Sequence, residues 1–250
     1  MTKVYANPFA RLGRCLFPWR RLFYGIPVFF LLLDNSQLYY PFSSHFYDEV
    51  FEIGALFIVF AGAGLRIWAS GTTRRTVKKS GRAPDFNFCS KGPFSLVRNP
   101  HFLGDLIIVA GLSFTLMLAV PIIASISLFL LLSLPIQFER ENLLMERHGA
   151  PYARYCEQTS LILPSFKNWK PHGPRFRWEL AFQKESKIAA GIGFVFFFIE
   201  QLRELIIDRI LDTNIFWMFF LVMVSLLSIL SVASDSWVHE VPDSRNSVED

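Results

Sequence analysis

The chain alternates apolar stretches long enough for helices with polar, often basic segments. One apolar stretch, Leu103–Leu134, exceeds the roughly 20 residues of a single straight membrane crossing and suits two short crossings. Pro121 lies near its middle and favours a tight turn there. We therefore predict an all-α integral membrane helical bundle of about six transmembrane spans, including a tight helical hairpin. The other stretches are a short one ending at Leu33, then Phe51–Ala69, Ile188–Ile207 and Asn214–Ala233.

The first apolar stretch follows a basic region, as in a secretory signal peptide, but no small-residue cleavage site comes after it. Tyr39 and Tyr40 follow instead, and tyrosines favour the interface between membrane and water. We therefore predict a retained first span. In the second stretch Arg66 lies one turn from the end, and we expect its side chain to snorkel to the interface.

The distribution of charge predicts the topology. Lys and Arg are dense before the first span and in 71–100, where Asp85 is the single acid, whereas 35–50 has neither Lys nor Arg. By the positive-inside rule, the N-terminus, 71–100 and 137–187 are cytoplasmic and 35–50 is outside. Six spans then place both termini in the cytoplasm. Because the two large polar segments abut opposite ends of one hairpin on the same side, we expect them to meet at the membrane surface.

Composition agrees with a membrane protein, since 52% of residues are hydrophobic and only 18% are charged. The net charge of +4 is too small and scattered to suggest a nucleic-acid partner. Cys15, Cys89 and Cys156 form no CxxC pair, and the five histidines show no HxxxH or HExxH spacing. We read the cysteines as free thiols and predict no metal.

The segment Gly92–Gly104, GPFSLVRNPHFLG, concentrates turn and helix-start signals beside polar side chains. Gly-Pro predicts a turn, and Asn99 followed by Pro100 predicts a capped helix start. Two interpretations are open for Arg98 and His101. Arg98 either anchors the chain at lipid headgroups or lines a site, and His101 is either an ordinary interfacial histidine or a functional one.

A second segment, Phe138–Pro164, follows the predicted hairpin. Its spacing predicts an amphipathic helix, a turn at Gly149 and a second short helix. Glu139 and Glu141 either form a solvated helix face or belong to a site. Their position at the end of a membrane hairpin favours the site, because carboxylates there are costly unless paired, and Arg98 is the expected partner.

These two segments, in this order and with an apolar hairpin between them, resemble the isoprenylcysteine carboxyl methyltransferase and phospholipid methyltransferase family. The resemblance covers roughly residues 60–166 and includes GLRIWA at Gly64–Ala69. It implies an integral membrane enzyme that uses S-adenosyl-L-methionine to methylate a lipid or lipid-modified acceptor from the bilayer. The active site would face the cytoplasm.

The resemblance also implies site residues. The loop and the hairpin start would form most of the cofactor cradle, with the acidic motif completing it. Arg98 and Arg140 are the nearest candidates for engaging a negative group of the substrate, and Glu141 joins them as a catalytic candidate. The implied cofactor-binding residues are Phe86, Asn87, Phe88, Cys89, Phe94, Asn99, Pro100, His101, Phe102, Glu139 and Glu141.

This chain departs from the family pattern at several of these positions. Asn99 stands where the family often has His, while Phe94 and Phe102 replace common tyrosines. The usual adjacent glutamates are separated by Arg140. Methyl transfer from a sulfonium mainly requires alignment and exclusion of water. A carboxylate acceptor needs only an Arg to place it, whereas an amine needs a base, for which Glu141 and His101 are the candidates.

Two other functions stay open. The first is an NADPH-dependent membrane sterol or steroid reductase, which RNPHFLGD, YARYCEQ and Asp105 also suggest. The second is a non-catalytic lipid-binding protein on the same scaffold. We predict three regions: an anchor span and outside loop over 1–50, a methyltransferase-like core over 51–170, and a linker with two last spans and an acidic tail over 171–250.

Overall fold

The fold is described by a computed structural model, over residues 8–33, 45–72, 89–166, 169–170 and 175–207 and at positions 222, 225 and 226. Every regular element in this part of the chain is a helix, which confirms the all-α prediction. In chain order the elements are α1 (Pro8–Leu16), a 3₁₀ helix (Phe17–Gly25), α2 (Ile26–Leu33), α3 (His45–Thr72), α4 (Pro93–Leu96), α5 (Pro100–Phe114), α6 (Ala119–His148), α7 (Ala150–Gln158) and α8 (Trp178–Ile207).

Three helical segments are long and apolar enough to cross a membrane, namely Arg11–Leu33, Val50–Thr72 and Ala119–His148, and α5 is a shorter apolar helix. They are consistent with a membrane protein. The six-span topology stays a prediction. Most of the predicted last span, Asn214–Ala233, and both Tyr39 and Tyr40 lie outside the described residues.

The apolar run Leu103–Leu134 forms parts of two helices, and the break lies before Pro121. Thr115–Leu118 separates α5 from α6, and Met117 adopts a left-handed backbone with φ of 58°. Pro121 is instead buried in the first turn of α6, where a proline is tolerated because its missing N–H would have no helical partner. The proline therefore marks a helix start instead of a turn. That both helices cross a membrane stays a prediction.

α5 and α6 lie antiparallel against each other. Near the N-terminal end of α5, the Phe102 ring stacks on that of Phe129 with centroids 6.1 Å apart. One turn earlier, the Asn99 amide donates to the side-chain oxygen of Gln137. α6 then continues through Pro135 to His148, so Glu139 and Glu141 lie within a long helix and not after its end.

α3 and α5 approach closely through glycines. A Cβ atom built on Gly62 would lie 2.7 Å from the backbone oxygen of Gly104, and one on Gly111 would lie 2.9 Å from the backbone nitrogen of Val59. Small residues allow helix backbones to pack at such distances in a membrane. This contact places the first turn of α5 directly over the last turns of α3.

Helices from the two ends of the chain pack onto this pair. The Arg14 guanidinium of α1 lies 2.9 Å from the Glu139 carboxylate of α6. Glu185 of α8 reaches the side chain of Arg66 on α3 at 2.8 Å. Contacts therefore cross both predicted region boundaries, at 50 and at 170, and the N-terminal segment and α8 help to build the core.

Candidate functional site

The segment Gly92–Gly104 folds as its local signals predict. Gly92 has a φ of 61°, which favours glycine, and α4 begins directly after it. Asn99 caps α5, because its side-chain oxygen accepts from the backbone N–H of Phe102 at 3.3 Å. The predicted turn and helix start are both confirmed.

The two polar segments meet, as the charge distribution predicts, in the parts of them that the structure describes. The backbone N–H of Arg98 donates to the carbonyl oxygen of Ser160 at 2.8 Å. The backbone N–H of Ser165 donates to the carbonyl oxygen of Leu96 at 2.9 Å. The Tyr155 hydroxyl donates to the Phe94 carbonyl oxygen at 2.6 Å. Burial raises the pKa of Tyr155, so the phenol stays a neutral donor.

Arg98 and Glu141 form an ion pair where these segments meet. Arg98 Nη1 lies 3.3 Å from Glu141 Oε1, and both side chains are about four-fifths buried. Burial alone would lower the pKa of Arg98, but its hydrogen bond to Cys156 and the charge of Glu141 raise the pKa overall. Arg98 therefore keeps its positive charge.

Two buried polar atoms of this pair have hydrogen-bonding capacity left over. Arg98 Nε and Glu141 Oε1 make no hydrogen bond with the described residues. Buried polar groups in proteins are nearly always satisfied, so each such atom calls for an explanation. A polar ligand with both a negative and a positive group, such as an amino acid moiety, has the chemistry that would satisfy both atoms.

Glu139 points away from this pair, while Arg140 contacts Asn99 beside it. Residues two apart on an α-helix are separated by about 200° around its axis, so Glu139 cannot share the direction of Glu141. Glu139 pairs with Arg14 at 2.9 Å. Arg140 is exposed, and its Nη1 lies 3.5 Å from the side-chain oxygen of Asn99. Of the three consecutive residues, only Glu141 is joined to Arg98.

The remaining predicted residues divide into three groups. Phe86, Asn87 and Phe88 lie outside the described residues. Phe94, Asn99 and Pro100 are buried beside Arg98 at the meeting point, and half-buried Cys89 places its sulfur 3.7 Å from the Lys91 carbonyl oxygen. Phe102 is only 2% exposed and belongs to the hydrophobic core, so its ring stabilises the helix pair.

A second cluster of polar side chains was missed by the sequence reasoning and lies around Arg66. The expectation that Arg66 snorkels is wrong, since the residue is only 7% exposed. Its Nε donates to Glu185 Oε2 at 2.8 Å, and its Nη1 pairs with Asp105. Two carboxylates from α5 and α8 thus hold the guanidinium inside the bundle. Their charges and hydrogen bonds offset the cost of removing it from water, so the side chain does not have to reach the interface.

Two hydroxyl groups also donate hydrogen bonds to these carboxylates. The Tyr24 hydroxyl donates to Asp105 Oδ1 at 2.6 Å, and the Ser70 hydroxyl donates to Glu185 Oε1 at 2.5 Å. We call Arg66, Asp105, Glu185, Tyr24 and Ser70 the Arg66 cluster. It joins the 3₁₀ helix, α3, α5 and α8. Ionisable groups inside a membrane bundle are costly and are therefore functional candidates.

His101 lies between the Arg66 cluster and the Arg98–Glu141 pair. Its Nδ1 is 3.7 Å from Glu185 Oε1, and its ring meets that of Phe94 edge-on with centroids 6.3 Å apart. Burial, followed by the charge of Arg66, lowers the pKa of His101 well below its usual value. The imidazole is therefore neutral near pH 7.

A signal for part of the Arg66 cluster exists in the sequence. Arg66 is the one basic residue of Phe51–Ala69 and Asp105 the one charged residue of Leu103–Leu134, and two such charges of opposite sign are natural partners. Glu185 carries no such signal, because it stands in the charged run KESK, which reads as a solvated helix face.

No family model, no curated protein and no solved structure matches this chain. Among the described residues no group of three His, Cys, Asp or Glu side chains could hold a metal ion. What the site offers chemically comes from its own residues. These are a buried guanidinium and carboxylate with free hydrogen-bonding capacity and, beside them, a neutral imidazole next to a fixed carboxylate.

Proposed function

We propose that this protein is an integral membrane methyltransferase that moves a methyl group from S-adenosyl-L-methionine to a lipid or prenylated acceptor. The proposal rests on the resemblance of Gly92–Gly104 and Phe138–Pro164 to that family. The observation that supports it best is the Arg98–Glu141 pair. Each motif contributes one member of a buried ion pair, and each member retains an unsatisfied polar atom.

The chemistry of this pair fits the amino acid end of the cofactor. A carboxylate such as Glu141 complements an ammonium group, and a guanidinium such as Arg98 complements a carboxylate through paired N–H groups. S-adenosyl-L-methionine supplies an activated methyl group on a sulfonium. The residues of this chain then have to bind it, align it with the acceptor and exclude water.

The departures from the family pattern leave this binding chemistry in place. Asn99 caps α5 and contacts Arg140, which keeps the loop in register with α6. The missing Tyr hydroxyl at Phe102 would lie in the hydrophobic core of this protein, where a hydroxyl needs a partner. Phe at this position therefore follows from packing and does not argue against activity.

Methyl transfer to membrane lipid tests the proposal. Purified protein in detergent is incubated with methyl-labelled S-adenosyl-L-methionine and a total lipid extract, and label is measured in the organic phase. We expect label to accumulate with wild-type protein and to disappear with Glu141→Gln, while Glu146→Gln, an exposed acid on the same helix, stays active. Oxidation of NADPH in the same extract without methyl transfer would overturn the proposal in favour of a reductase.

A further inference from the structure

We propose that Glu185 and His101 form a carboxylate–imidazole pair in which Glu185 positions His101 as the general base of methyl transfer. This inference rests on the proposed function and deepens it, because a base is useful only for an acceptor that carries a proton on its nucleophile. The acceptor class is then an amine, a phenolic hydroxyl or a thiol, and not a carboxylate.

Two side chains hold the Glu185 carboxylate in one orientation. Arg66 Nε fixes Oε2 at 2.8 Å, and the Ser70 hydroxyl fixes Oε1 at 2.5 Å. With its side chain only 8% exposed, this carboxylate cannot swing into water. His101 Nδ1 faces the same Oε1 at 3.7 Å.

That distance is longer than a hydrogen bond, and catalytic hydrogen bonds are often long before substrate binds. A carboxylate beside Nδ1 favours the tautomer in which Nδ1 carries the proton. Nε2 is then the ring atom that can accept a proton. The side chain is 22% exposed and its ring contacts that of Phe94, so the imidazole lies toward the loop that carries Arg98.

Glu185 lies where a carboxylate can stabilise an imidazolium. Burial and the positive charges of Arg66, Arg140, Lys184 and Arg20 oppose proton uptake by His101. The Glu185 carboxylate, 3.7 Å from Nδ1, is an acidic group that the structure places beside the ring. It would stabilise the imidazolium formed during the step, as the buried carboxylate of a catalytic triad does.

Glu141 is the other candidate base, and its contacts argue against it. Its carboxylate forms the ion pair with Arg98 at 3.3 Å, so proton uptake would leave a buried guanidinium without its counter-ion. Proton uptake at His101 leaves the Arg98–Glu141 ion pair intact. The geometry therefore divides the two roles: Glu141 and Arg98 bind, and His101 accepts the proton.

The step balances as follows. The acceptor heteroatom forms a bond to the methyl carbon as the bond between that carbon and the sulfonium sulfur breaks. The sulfur keeps the electron pair and becomes a neutral thioether. The proton of the heteroatom passes to His101 Nε2 and from there to solvent, which regenerates the neutral imidazole.

The first test needs no variant and no knowledge of the acceptor. Labelled lipid formed by the wild-type protein is treated with mild base, which hydrolyses methyl esters to methanol but leaves N-methyl, aryl ether and thioether products intact. We expect no label to be released as volatile methanol, whichever phase the remaining product enters. Release of the label as methanol would identify a carboxylate acceptor and overturn the inference, while the proposed methyltransferase activity would stand.

The second test separates positioning from a merely structural role. We expect His101→Gln to lower kcat by about 10²-fold to 10⁴-fold, the range for a general base. Glu185→Gln should lower kcat by about 10-fold to 100-fold, by analogy with the loss of a carboxylate that orients a metal-bound histidine. Because Glu185 acts through His101, the double variant should be no slower than His101→Gln alone. Losses that multiply in the double variant would contradict positioning.

Cofactor binding and a spectroscopic signature provide the controls. Glu185→Gln should bind S-adenosylhomocysteine as the wild type does, and Glu179→Gln, an exposed acid on the same helix, should keep full activity. Nitrogen NMR of ¹⁵N-histidine protein, with His101 assigned by comparison with His101→Gln, should show the proton on Nδ1. A proton on Nε2 in the wild type would overturn the inference without any measurement of activity.

Discussion

At the residue scale, the position of Arg98 decides between a headgroup anchor and a site residue. Its guanidinium is about four-fifths buried and contacts both Glu141 and Cys156. A headgroup anchor requires only a positive charge near water, whereas these contacts hold the guanidinium against two specific side chains. The geometry therefore favours the site residue.

Arg98→Lys should remove most of the methyl-transfer activity while the protein remains folded in detergent, because a lysine cannot reproduce the planar fork. The measurement is kcat/KM with labelled cofactor, accompanied by size-exclusion chromatography. Arg154→Lys, at an exposed position of α7, is the matched control and should be fully active. Wild-type activity in Arg98→Lys would contradict a site role and indicate that Arg98 only anchors the chain at the headgroups.

A second prediction at this scale concerns the Arg66 cluster. Arg66→Met should lower the free energy of unfolding by about 3–5 kcal/mol, because Asp105 and Glu185 would lose their shared counter-ion inside the bundle. Thermal unfolding in detergent measures the loss, with Arg154→Met as the exposed control. Adding Asp105→Asn and Glu185→Gln to Arg66→Met should recover part of the stability. A triple variant less stable than Arg66→Met would contradict a shared ion network.

At the scale of elements, the local signals predicted the helix boundaries well where one or two residues determine them. Asn99 and Pro100 specify the start of α5, and Gly149, with a φ of 55°, ends α6 as predicted. Pro121 misled, because a proline is tolerated in the first turn of a helix and does not by itself locate a break.

The close approach of α3 and α5 gives a test with a matched control. Gly62→Ala should destabilise the protein by about 1–3 kcal/mol, because the new methyl group would lie within 3 Å of Gly104 and Ile108 atoms. Gly64→Ala, two residues further along α3, meets nothing within 4 Å and should be neutral or stabilising. Thermal unfolding of both variants in detergent compares them. Equal stability of the two would contradict the close packing of α3 on α5.

At the scale of the whole molecule, the parts that sequence could not predict are those made by distant partners. Arg66 and Glu185 are 119 residues apart in the chain, and Arg66 and Asp105 are 39 apart. No periodicity or local motif relates such residues. The meeting of the two polar segments was predictable because the charge distribution and the apolar stretches together constrain where their ends can lie.

The topology has its own test. In a background with the native cysteines replaced by serine, single cysteines at the exposed positions Lys91 and Glu157 are treated with a membrane-impermeant maleimide. We expect no labelling in intact cells and full labelling after permeabilisation, because both positions belong to segments predicted to be cytoplasmic. Labelling of either position in intact cells would place the candidate site on the other side of the membrane.

The most direct test of the proposed function is the binding of S-adenosylhomocysteine to purified protein, measured by calorimetry beside NADPH. We expect saturable binding of S-adenosylhomocysteine and none of NADPH. Glu141→Gln should weaken binding by about 1.5–3 kcal/mol, the range for a hydrogen bond to a charged group, while Glu146→Gln should bind as the wild type does. Equal affinity of Glu141→Gln and Glu146→Gln, or binding of NADPH alone, would contradict a methyltransferase site built on Arg98 and Glu141.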